Sequence, residues 1–488
     1  MPLSPARPVI SYCLLILSVV LVAACDDSDP PATDVPSELA ELDEHEQLPD
    51  TDSLDEHDSE LPELDGDSTD SADIEASDQS DEEQSQPPPA SGCPALPPAS
   101  GTIIAVEPSQ TAQLRGIVAA AAEGSTILFA DGHYHLGGEY IWIDIPGLTL
   151  RSASGNREAV ILDGDYETTE IITIAASNVT IADLSLRRAY THPIHVTTAG
   201  SDVVNTLIYN VAITDPREQA IKINPGSGGF PDAGEIACSH LSLSDEGRPQ
   251  VNPTSGGCYT GGVDAHQARG WVIRDNQIEG FWCPNGLSEH AIHLWRGCRD
   301  TLVMRNVLRD NARGIGFGLA SSGEARSYVD APCPTATGSY VDHYGGIIRN
   351  NVVFASRPEL FASGSGFDCG ICLWSACEAQ VLHNSVVSTG PNFSSIEWRF
   401  SGASGNVVAN NLVSHPLRER DGASATQLGN LGEAALSLFV DGAGGDLHLA
   451  DGASAIDQGV VLEPGLCDDD VDGEARLDGA PDVGADER

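Results

Sequence analysis

Positive charge is scarce in this sequence. Its 488 residues include 73 Asp and Glu but only 24 Lys and Arg, which gives a formal net charge of −49 at pH 7. A nucleic-acid-binding domain needs a basic surface, so this class is excluded and no nucleic-acid partner is predicted. Lysine is the rarest cation, because 23 of the basic residues are Arg and Lys222 is the only Lys.

Aromatic residues are also few, at 5% of the chain, and charged residues make up only 20%. With 50 Gly in addition, this composition excludes helical coiled coils and collagen-like chains. The apolar share of 41% is sufficient for a buried core. The length allows two or three ordinary domains, or one long β solenoid.

The N-terminal segment has the features of an export signal. Arg7 precedes an apolar run over residues 9–22, which is too short to span a bilayer comfortably. The run ends at Ala23, Ala24 and Cys25, and this ending resembles the lipobox of bacterial lipoproteins. The resemblance implies a signal peptide over residues 1–24 and a membrane anchor through lipid on Cys25. An ordinary cleaved signal with a chance Cys is the alternative.

Residues 25–99 are predicted to form the lipid anchor point and a disordered acidic, Pro-rich linker. Positions 26–90 hold 25 Asp and Glu with no Lys or Arg, and Ser and Pro fill much of the remainder. Such a segment lacks the apolar surface needed to fold, and its like charges extend it. The protein is therefore expected to be exported and held at the cell surface or in the periplasm.

Cysteine usage indicates disulfide bonds. Ten Cys remain once Cys13 is removed with the signal and Cys25 is lipidated, and an even number is typical of an exported, disulfide-bonded chain. Cys369, Cys372 and Cys377 are close enough in sequence for a metal site, but loop disulfides are the favoured interpretation. The pairing stays open.

Short β-rich runs recur from about residue 100 onward, and each has two apolar pieces around an Asp or Asn corner. The corners follow one another at intervals of 27 to 45 residues: Asp183, Asn210, His240, Asn276, Asn306, Asn351, Asn384 and Asn411. Asn tolerates the left-handed backbone of a tight corner, so stacked corners would align their amides. No single unit buries its apolar face, whereas a stack of units does.

This pattern resembles the right-handed parallel β-helix of the pectate-lyase-like superfamily. The resemblance implies an all-β, single-stranded right-handed parallel β-helix over residues 100–450, with an N-terminal capping helix that begins near Leu114. It also implies a C-terminal capping segment over residues 451–488. A β-propeller is the alternative, but Asn-Gly and Asp-Gly hairpin turns do not recur where its blades need them. A monomer is expected.

A second strand precedes each run, and its outward side chains form the candidate site. Alternate side chains of a strand face opposite ways, and adjacent strands lie about 4.7–4.9 Å apart, so consecutive coils align their outward residues in one column. Glycines 314, 316 and 318 would leave a bare floor where a ligand approaches the backbone. The remaining members of the column are His195, Lys222, Asp264 with His266, His293 with Trp295, Cys372 with Trp374, and Glu397 with Arg399.

Asp264-Ala-His266 resembles the Asp-Pro-His motif of mannuronan C5-epimerases, with Ala265 in place of Pro. The resemblance implies removal of the C5 proton of a uronic acid, followed by elimination (a lyase) or by epimerisation. Lys222 and His293 lie at counterparts of that family's Lys and His. Lys222 and His266 would be the acid/base pair, with Asp264 orienting or charging one of them. A single Lys in an Arg-rich chain suggests an amine that is neutral part of the time.

Further residues are predicted to bind the polysaccharide, which is the expected partner. His293, together with Arg248 from a bordering loop, would meet the substrate carboxylate, and Trp295 would stack on a sugar ring. His195 would lie at one end of the column. Glu397 and Arg399 would extend the groove or form a simple surface ion pair.

Two other functions stay open. The acidic domain repels a polyanion at long range, which favours a non-catalytic glycan-binding or adhesin-like surface protein. A glycoside hydrolase would need two carboxylates, which Asp264, Glu289 and Asp368 could supply, although the Gly-His-Gly signature of such enzymes is absent.

The sequence predicts no metal and no cofactor, and leaves calcium open. The run from Asp468 to Gly473 matches the start of an EF-hand loop, but Gly479 stands where a bidentate Glu is needed, so a polar turn is favoured. His290 and His293 are three residues apart. On a strand they would face opposite ways, which argues against zinc.

Overall fold

The computed structural model describes residues 92–331, 333, 338–476 and 479–488. The predicted signal peptide, the lipidation site Cys25 and the linker as far as residue 91 lie outside the described residues. Within the part of the chain that is described, no helix is long and apolar enough to cross a membrane.

Three long parallel sheets make up most of the described chain. Most turns of the chain add one strand to each of them, while the first sheet has two more strands than the others. In stacking order, the first sheet contains Ile103–Val106, Thr126–Phe129, Thr149–Ser152, Thr180–Ala182, Leu207–Tyr209, Glu235–Ala237, Val272–Arg274, Leu302–Met304, Ile347–Arg349, Gln380–Leu382, Asn406–Ala409 and Ala425–Leu428. The second contains Gly132–His135, Val160–Asp163, Ser185–Arg187, Ala212–Thr214, His240–Ser242, Gln277–Glu279, Val307–Arg309, Val352–Ala355, Ser385–Ser388 and Leu412–Val413.

The third sheet carries the candidate site. Its strands are Ile141–Ile143, Ile172–Ile174, Ile194–Val196, Gln219–Ile223, Gly261–His266, Ile292–Trp295, Arg313–Phe317, Phe367–Trp374, Asn392–Arg399 and Leu417–Arg420. Three parallel sheets built by one continuous winding form a right-handed parallel β-helix. The fold class predicted from the sequence is confirmed.

The remaining elements are short and lie between or beside these sheets. Small pairings join Val203–Val204 to Pro231–Asp232, and join Cys298–Arg299, His343–Tyr344 and Ala376–Cys377 in one row. The helices are Pro108–Gln113, Leu114–Ala119, Arg157–Ala159, Arg248–Gln250, Thr254–Gly257, Pro358–Phe361 and Leu436–Leu438. An antiparallel hairpin of Phe439–Asp441 and Asp446–Leu449 follows the last coil.

The apolar residues of the third sheet point into the interior, as strand alternation predicts. Ile194, Ile221, Val263, Ile292 and Ile315 pair in register from coil to coil, and all are fully buried. They belong to one apolar cluster that extends along the stack of coils. Each coil therefore stabilises its neighbours through a continuous core, as expected for a solenoid.

A ladder of buried amides lines one corner of the coils. Each Asn side chain except the last donates a hydrogen bond to the side-chain oxygen of the next, at 2.9–3.0 Å. At the two ends, Asn276 accepts from the backbone of Ser239 and Asn430 donates to the carbonyl oxygen of Val408. The members of this ladder are Asn276, Asn306, Asn351, Asn384, Asn411 and Asn430. The predicted stacking of corner amides is present.

The left-handed corner residue is one position earlier than the sequence suggested for most coils. The residues with positive φ precede the ladder amides: Asp275, Arg305, Asn350, His383 and Asn410. His240 is not a corner residue, because Cys238 has the left-handed backbone (φ 58°) and Ser239 takes the ladder position. Because the preceding residue turns the backbone, the ladder side chain points into the interior. There its amide makes the hydrogen bonds that water would otherwise make to the backbone.

Four disulfides are present among the described cysteines: Cys93–Cys238, Cys258–Cys283, Cys333–Cys377 and Cys369–Cys372. The first of them attaches the start of the described chain to a corner of the solenoid. Disulfides, rather than a metal, therefore explain the cysteines at 369, 372 and 377. Cys298 and Cys467 are free and buried, so the even count did not mean complete pairing.

Candidate functional site

The third sheet places the predicted column in register. His195 pairs with Lys222, Lys222 with Asp264, and Asp264 with His293 on successive strands. The next coils add Gly316, Cys372 and Glu397 at the same level. Residues far apart in sequence thus become neighbours on one face of the solenoid.

Three members of the column form a compact charged network. The ammonium of Lys222 donates a hydrogen bond to Oδ2 of Asp264 at 2.6 Å, and its Nζ lies 3.2 Å from Nε2 of His266. The same His266 nitrogen lies 3.2 Å from Oδ2 of Asp264. We call Lys222, Asp264 and His266 the charged triangle.

The charged triangle is buried rather than solvated. Lys222 is 7% exposed and Asp264 2%, while the His266 side chain retains 13% exposure. Buried charges persist when they are paired and hydrogen-bonded, and here each group has such a partner. His266 is the member through which a ligand would reach the network.

The pKa values in the triangle follow from burial and mutual attraction. Burial acts to lower the pKa of Lys222, but the combined attraction and hydrogen bonding of Asp264, with Tyr259 and Glu289, outweigh burial and raise that pKa above its ordinary value. Burial acts to raise the pKa of Asp264, yet Lys222 and His266 hold it well below the usual range. Burial, followed by repulsion from Lys222, lowers the pKa of His266 to about 4.

These shifts correct the interpretation of the single lysine. A neutral Lys222 amine was expected from its isolation in an Arg-rich chain, but the neighbouring Asp264 carboxylate keeps the amine protonated. At neutral pH the network therefore contains an ammonium, a carboxylate and a neutral imidazole. His266 is the member that can accept a proton.

Trp295 is not available as a platform for a sugar ring. Its indole N–H donates to Oδ1 of Asp264 at 2.8 Å, and the imidazole of His293 stacks on its ring with 5.3 Å between centroids. The guanidinium of Arg296 lies 4.6 Å from the ring centroid, and the edge of His266 also contacts it. Trp295 thus supports the charged triangle from within the protein.

His293 lies beside the triangle and meets a loop acid. Its Nδ1 is 3.7 Å from Oδ1 of Asp264 and 3.0 Å from Oε2 of Glu289, although the latter contact lacks hydrogen-bond geometry. Its Nε2 is 3.4 Å from the carbonyl oxygen of Gly318. The imidazole of His290 packs against it, with ring centroids 4.4 Å apart.

The sequence-based expectation that His290 and His293 face opposite ways is wrong. His290 precedes the Ile292–Trp295 strand, so strand alternation does not apply to it, and its ring turns onto the column. A Cβ on Gly316 would lie 2.6 Å from the His290 ring. The predicted bare floor at Gly316 is therefore filled by the His290 side chain, for which the missing Cβ makes room.

His195 is at one end of the column and has hydrogen-bonding neighbours. Its Nδ1 lies 2.7 Å from Oε1 of Glu170, and its Nε2 lies 2.5 Å from Oδ1 of Asn224. Neither Glu170 nor Asn224 could be found from the strand pattern, because both lie outside the strands of the third sheet.

Arg248 is not brought to the column. Its buried guanidinium donates to the carbonyl oxygens of Gly280, Trp282 and Leu243, and it stacks on the Trp282 ring at 3.9 Å. These contacts occupy both terminal nitrogens, whereas Nε has no hydrogen-bond partner among the described residues. That Arg248 meets a substrate carboxylate stays a prediction.

Glu397 and Arg399 do not pair with each other. Glu397 accepts hydrogen bonds from Trp374 and Ser394 and lies 3.3 Å from Arg420, while Arg399 pairs with Asp421. Burial, followed by repulsion from Asp368, raises the pKa of Glu397. A shallow depression elsewhere, lined by Trp142, Asp144 and neighbouring residues, contains no member of the charged triangle.

No protein-family model matches the chain, and no curated protein sequence matches it. Among solved structures, pectate lyase Pel9A has a TM-score of 0.51 at 15% identity, covering 80% of this chain and 97% of that chain. An alginate lyase from Paenibacillus sp. str. FPU-7 has a TM-score of 0.36 at 13% identity, with coverage of 67% and 97%. At such low identity, the similarity to the pectate lyase shows a shared fold and nothing more. The lower similarity to the alginate lyase supports no further conclusion.

Proposed function

We propose that this protein acts on an acidic polysaccharide by removing the C5 proton of a uronic acid. The observation that carries the proposal is the charged triangle, in which Lys222, Asp264 and His266 converge within 3.2 Å on two adjacent coils. The fold is shared with a pectate lyase, an enzyme whose name refers to an acidic polysaccharide. Fold alone does not assign activity, so the proposed reaction depends on the charged triangle.

His266 is the proton acceptor in this proposal. When its Nε2–H donates to Asp264, the lone pair is on Nδ1, at the other side of the ring. The C5–H bond breaks, the proton moves to Nδ1, and the electron pair is delocalised into the uronate carboxyl group. Burial, followed by repulsion from Lys222, makes the resulting imidazolium more acidic than a free one, so it releases the proton readily.

Lys222 and Asp264 have positioning and electrostatic roles. The Asp264 carboxylate orients the imidazole, and the Lys222 ammonium supplies positive charge toward an approaching uronate. From the carbanion, the bond between C4 and its oxygen breaks and a double bond forms between C4 and C5, as in a lyase, and the leaving oxygen takes up the proton held by His266. Transfer of a proton from water to the opposite face of C5 gives the epimer instead, and His266 then releases its proton to solvent.

The polypeptide organisation supports action outside the cytoplasm. We propose that residues 1–24 are a lipoprotein signal, that Cys25 carries the lipid, and that the acidic linker separates the membrane from the β-helix and its C-terminal segment, 451–488. The disulfides are consistent with an oxidising compartment. Replacing Cys25 with Ser should abolish incorporation of radiolabelled palmitate and release the protein from membranes.

The activity test uses a panel of polyuronates and glycosaminoglycans. Ultraviolet absorbance detects a new C4–C5 double bond, and NMR detects an inverted C5. His266→Gln and Lys222→Met should each lose activity by at least about 100-fold, the lower range for general acid–base catalysis. His240→Gln is the matched control, because His240 pairs with Glu279 on the second sheet. Full activity in His266→Gln would contradict the proposal.

A second candidate is non-catalytic glycan binding. It is favoured by one observation, namely that the charged triangle is buried and its groups satisfy one another. Binding of a glycan by calorimetry, without any chemical change over the same panel, would establish this candidate. A reducing-end assay on the same samples tests hydrolysis, for which Glu397 beside Asp368 is the acid candidate.

A further inference from the structure

Glu289, His290 and His293 form a buried cluster that the proposed proton transfer does not use. One ligand atom from each residue lies within 4.8 Å of the other two. Both imidazoles are fully buried, whereas the Glu289 side chain is 20% exposed. The cluster lies beside the charged triangle, since His293 contacts Asp264.

Four polar atoms in this cluster have no hydrogen-bond partner among the described residues. They are Oε2 of Glu289, Nδ1 of His293 and both ring nitrogens of His290. An unsatisfied buried polar atom costs about 1–3 kcal/mol, so a group of four in one place calls for an explanation. A bound ion is one of the standard explanations.

The orientation of His293 adds a second argument. A carbonyl oxygen only accepts hydrogen bonds, so the 3.4 Å contact with Gly318 favours the His293 tautomer that has its proton on Nε2. Nδ1 then presents a lone pair toward Oε2 of Glu289, 3.0 Å away. These two acceptors face each other with no hydrogen-bond donor between them, which is an arrangement that a cation stabilises.

We propose that Glu289, His290 and His293 bind one divalent transition-metal ion of the zinc class. Two imidazoles and one carboxylate are ligands typical of zinc and related ions, and calcium is disfavoured because it prefers oxygen ligands. Three protein ligands leave a fourth position for water or substrate, as in catalytic rather than structural zinc sites. The Gly318 carbonyl is the outer partner that fixes the His293 tautomer. The exposed side of Glu289 provides an entry path.

Two other His and carboxylate clusters lack these features. In the cluster of His133, His135 and Asp163, both imidazoles are exposed or partly exposed and Asp163 accepts two hydrogen bonds from Arg188. In the cluster around His448, the imidazole is exposed and already contacts Asp446 and Asp472. Their imidazoles are exposed and already contact carboxylates, so they serve as comparisons.

The ion would lie next to the charged triangle, where its charge would neutralise the carboxylate of a bound uronate. That role rests on the proposed function, whereas metal binding does not. Zinc binding without turnover on any glycan would therefore leave this inference standing and count against the proposed function alone.

The test uses the full chain, stripped with a chelator and then titrated with Zn²⁺ by calorimetry and with Co²⁺ by absorption spectroscopy. One tight equivalent is expected, with the strong visible bands of four-coordinate Co²⁺. Glu289→Gln should weaken Zn²⁺ binding by about 100-fold or more, because even outer-shell partners contribute about 10–100-fold. Glu289→Asp retains the negative charge but places the carboxylate oxygens farther from the histidines, so it should lose less Zn²⁺ affinity. It replaces the Gln variant in the test if that variant does not fold.

Control variants and thermal stability distinguish a metal site from a simple ion pair. His133→Gln and His448→Gln should still bind one equivalent of Zn²⁺ tightly. If either of them lost this binding while Glu289→Gln kept it, the proposal would be overturned. In chelator, Glu289→Gln should melt no lower than the parent protein, because the unpartnered carboxylate oxygen is replaced by an NH2 group that can donate to Nδ1 of His293. A lower melting temperature, together with no effect of Zn²⁺ on the parent, would show a plain Glu289–His293 ion pair and overturn the proposal.

Discussion

At the scale of single residues, the Lys222–Asp264 pair is expected to be a large contributor to stability. Replacing Lys222 with Met leaves the Asp264 carboxylate buried without its nearest cation, and breaking a buried pair in this way costs about 3–5 kcal/mol. Denaturant-induced unfolding measures the loss. Adding Asp264→Asn to the Lys222→Met variant should recover part of it, because the unpaired charge is then removed.

The matched control is Arg399→Met. Arg399 pairs with Asp421, and their side chains are 27% and 48% exposed, so this pair should contribute less than about 1 kcal/mol. An equal loss of stability in Lys222→Met and Arg399→Met would contradict the importance of burial in the charged triangle.

A buried imidazole makes stability depend on pH. Burial lowers the pKa of His343 to about 3, and its ring stacks on Phe317 with 3.8 Å between centroids. An unfolded His takes up a proton near pH 6.5, so stability should be constant above that value and fall as the pH decreases from 6.5 toward 3. The slope is about 1.4 kcal/mol per pH unit for each such group.

Replacing His343 with Gln removes one proton from this linkage. The free energy of unfolding, measured by denaturant at a series of pH values, should then fall less steeply below pH 6.5. At pH 8, His343 is neutral in both states, so the difference between variant and parent there reports packing alone. An unchanged slope in the variant would mean that His343 is protonated in the folded protein.

At the scale of elements, the amide ladder is expected to contribute more to the free energy of unfolding than the left-handed backbone of the corners does. The Asn351 amide accepts from the backbone and side chain of Asn306, and donates to Val303, Arg349 and Asn384. Asn351→Ala strands several of these partners, and we expect a loss of about 2–4 kcal/mol in unfolding free energy.

Asn351→Asp is a sharper test of the same ladder. It keeps the shape and the acceptor but replaces a donor that faces two carbonyl oxygens, so it should destabilise the protein at least as much as Ala. Gln277→Ala, at an exposed position on the second sheet, should change stability by no more than about 0.5 kcal/mol. A neutral Asn351→Asp variant would contradict the donor role.

Strand alternation and amide spacing were sufficient to predict the elements that repeat. They identified the inward row that includes Ile221 and Val263, and they placed Lys222 level with Asp264. They could not predict the paths of the loops, which follow no period. Glu289, His290 and Arg248 lie in such segments, and therefore the filling of the floor at Gly316 and the contacts of Arg248 with backbone carbonyl oxygens were not foreseen.

The burial of the site also lay beyond the sequence. An outward-facing side chain on a solenoid is normally solvated, and nothing in the strand pattern indicated that Trp295 would donate to Asp264 with His293 stacked on its ring. Burial alone would lower the pKa of Lys222, and the expectation of an amine that is neutral part of the time reversed because Asp264 and its acidic neighbours raise that pKa.

At the scale of the whole molecule, a disulfide should stabilise more when it encloses a longer stretch of chain, with a logarithmic dependence on length. Cys93–Cys238 spans 145 residues and Cys258–Cys283 spans 25. Loop-closure entropy predicts about 5 kcal/mol for the first and about 3.5 kcal/mol for the second. Converting each pair to Ser and comparing the unfolding midpoints tests this order. A smaller effect for Cys93–Cys238 would mean that the N-terminal segment detaches without affecting the solenoid.

Successive members of the amide ladder are separated by 30, 45, 33, 27 and 19 residues, yet their contacts are the same. In the longer coils, the additional residues form loops between two strands, and the next coil keeps its register. Such a scaffold tolerates insertions at its margins while the column on the third sheet keeps its alignment. The loops at the margin can thus change by mutation independently of the coils that hold them.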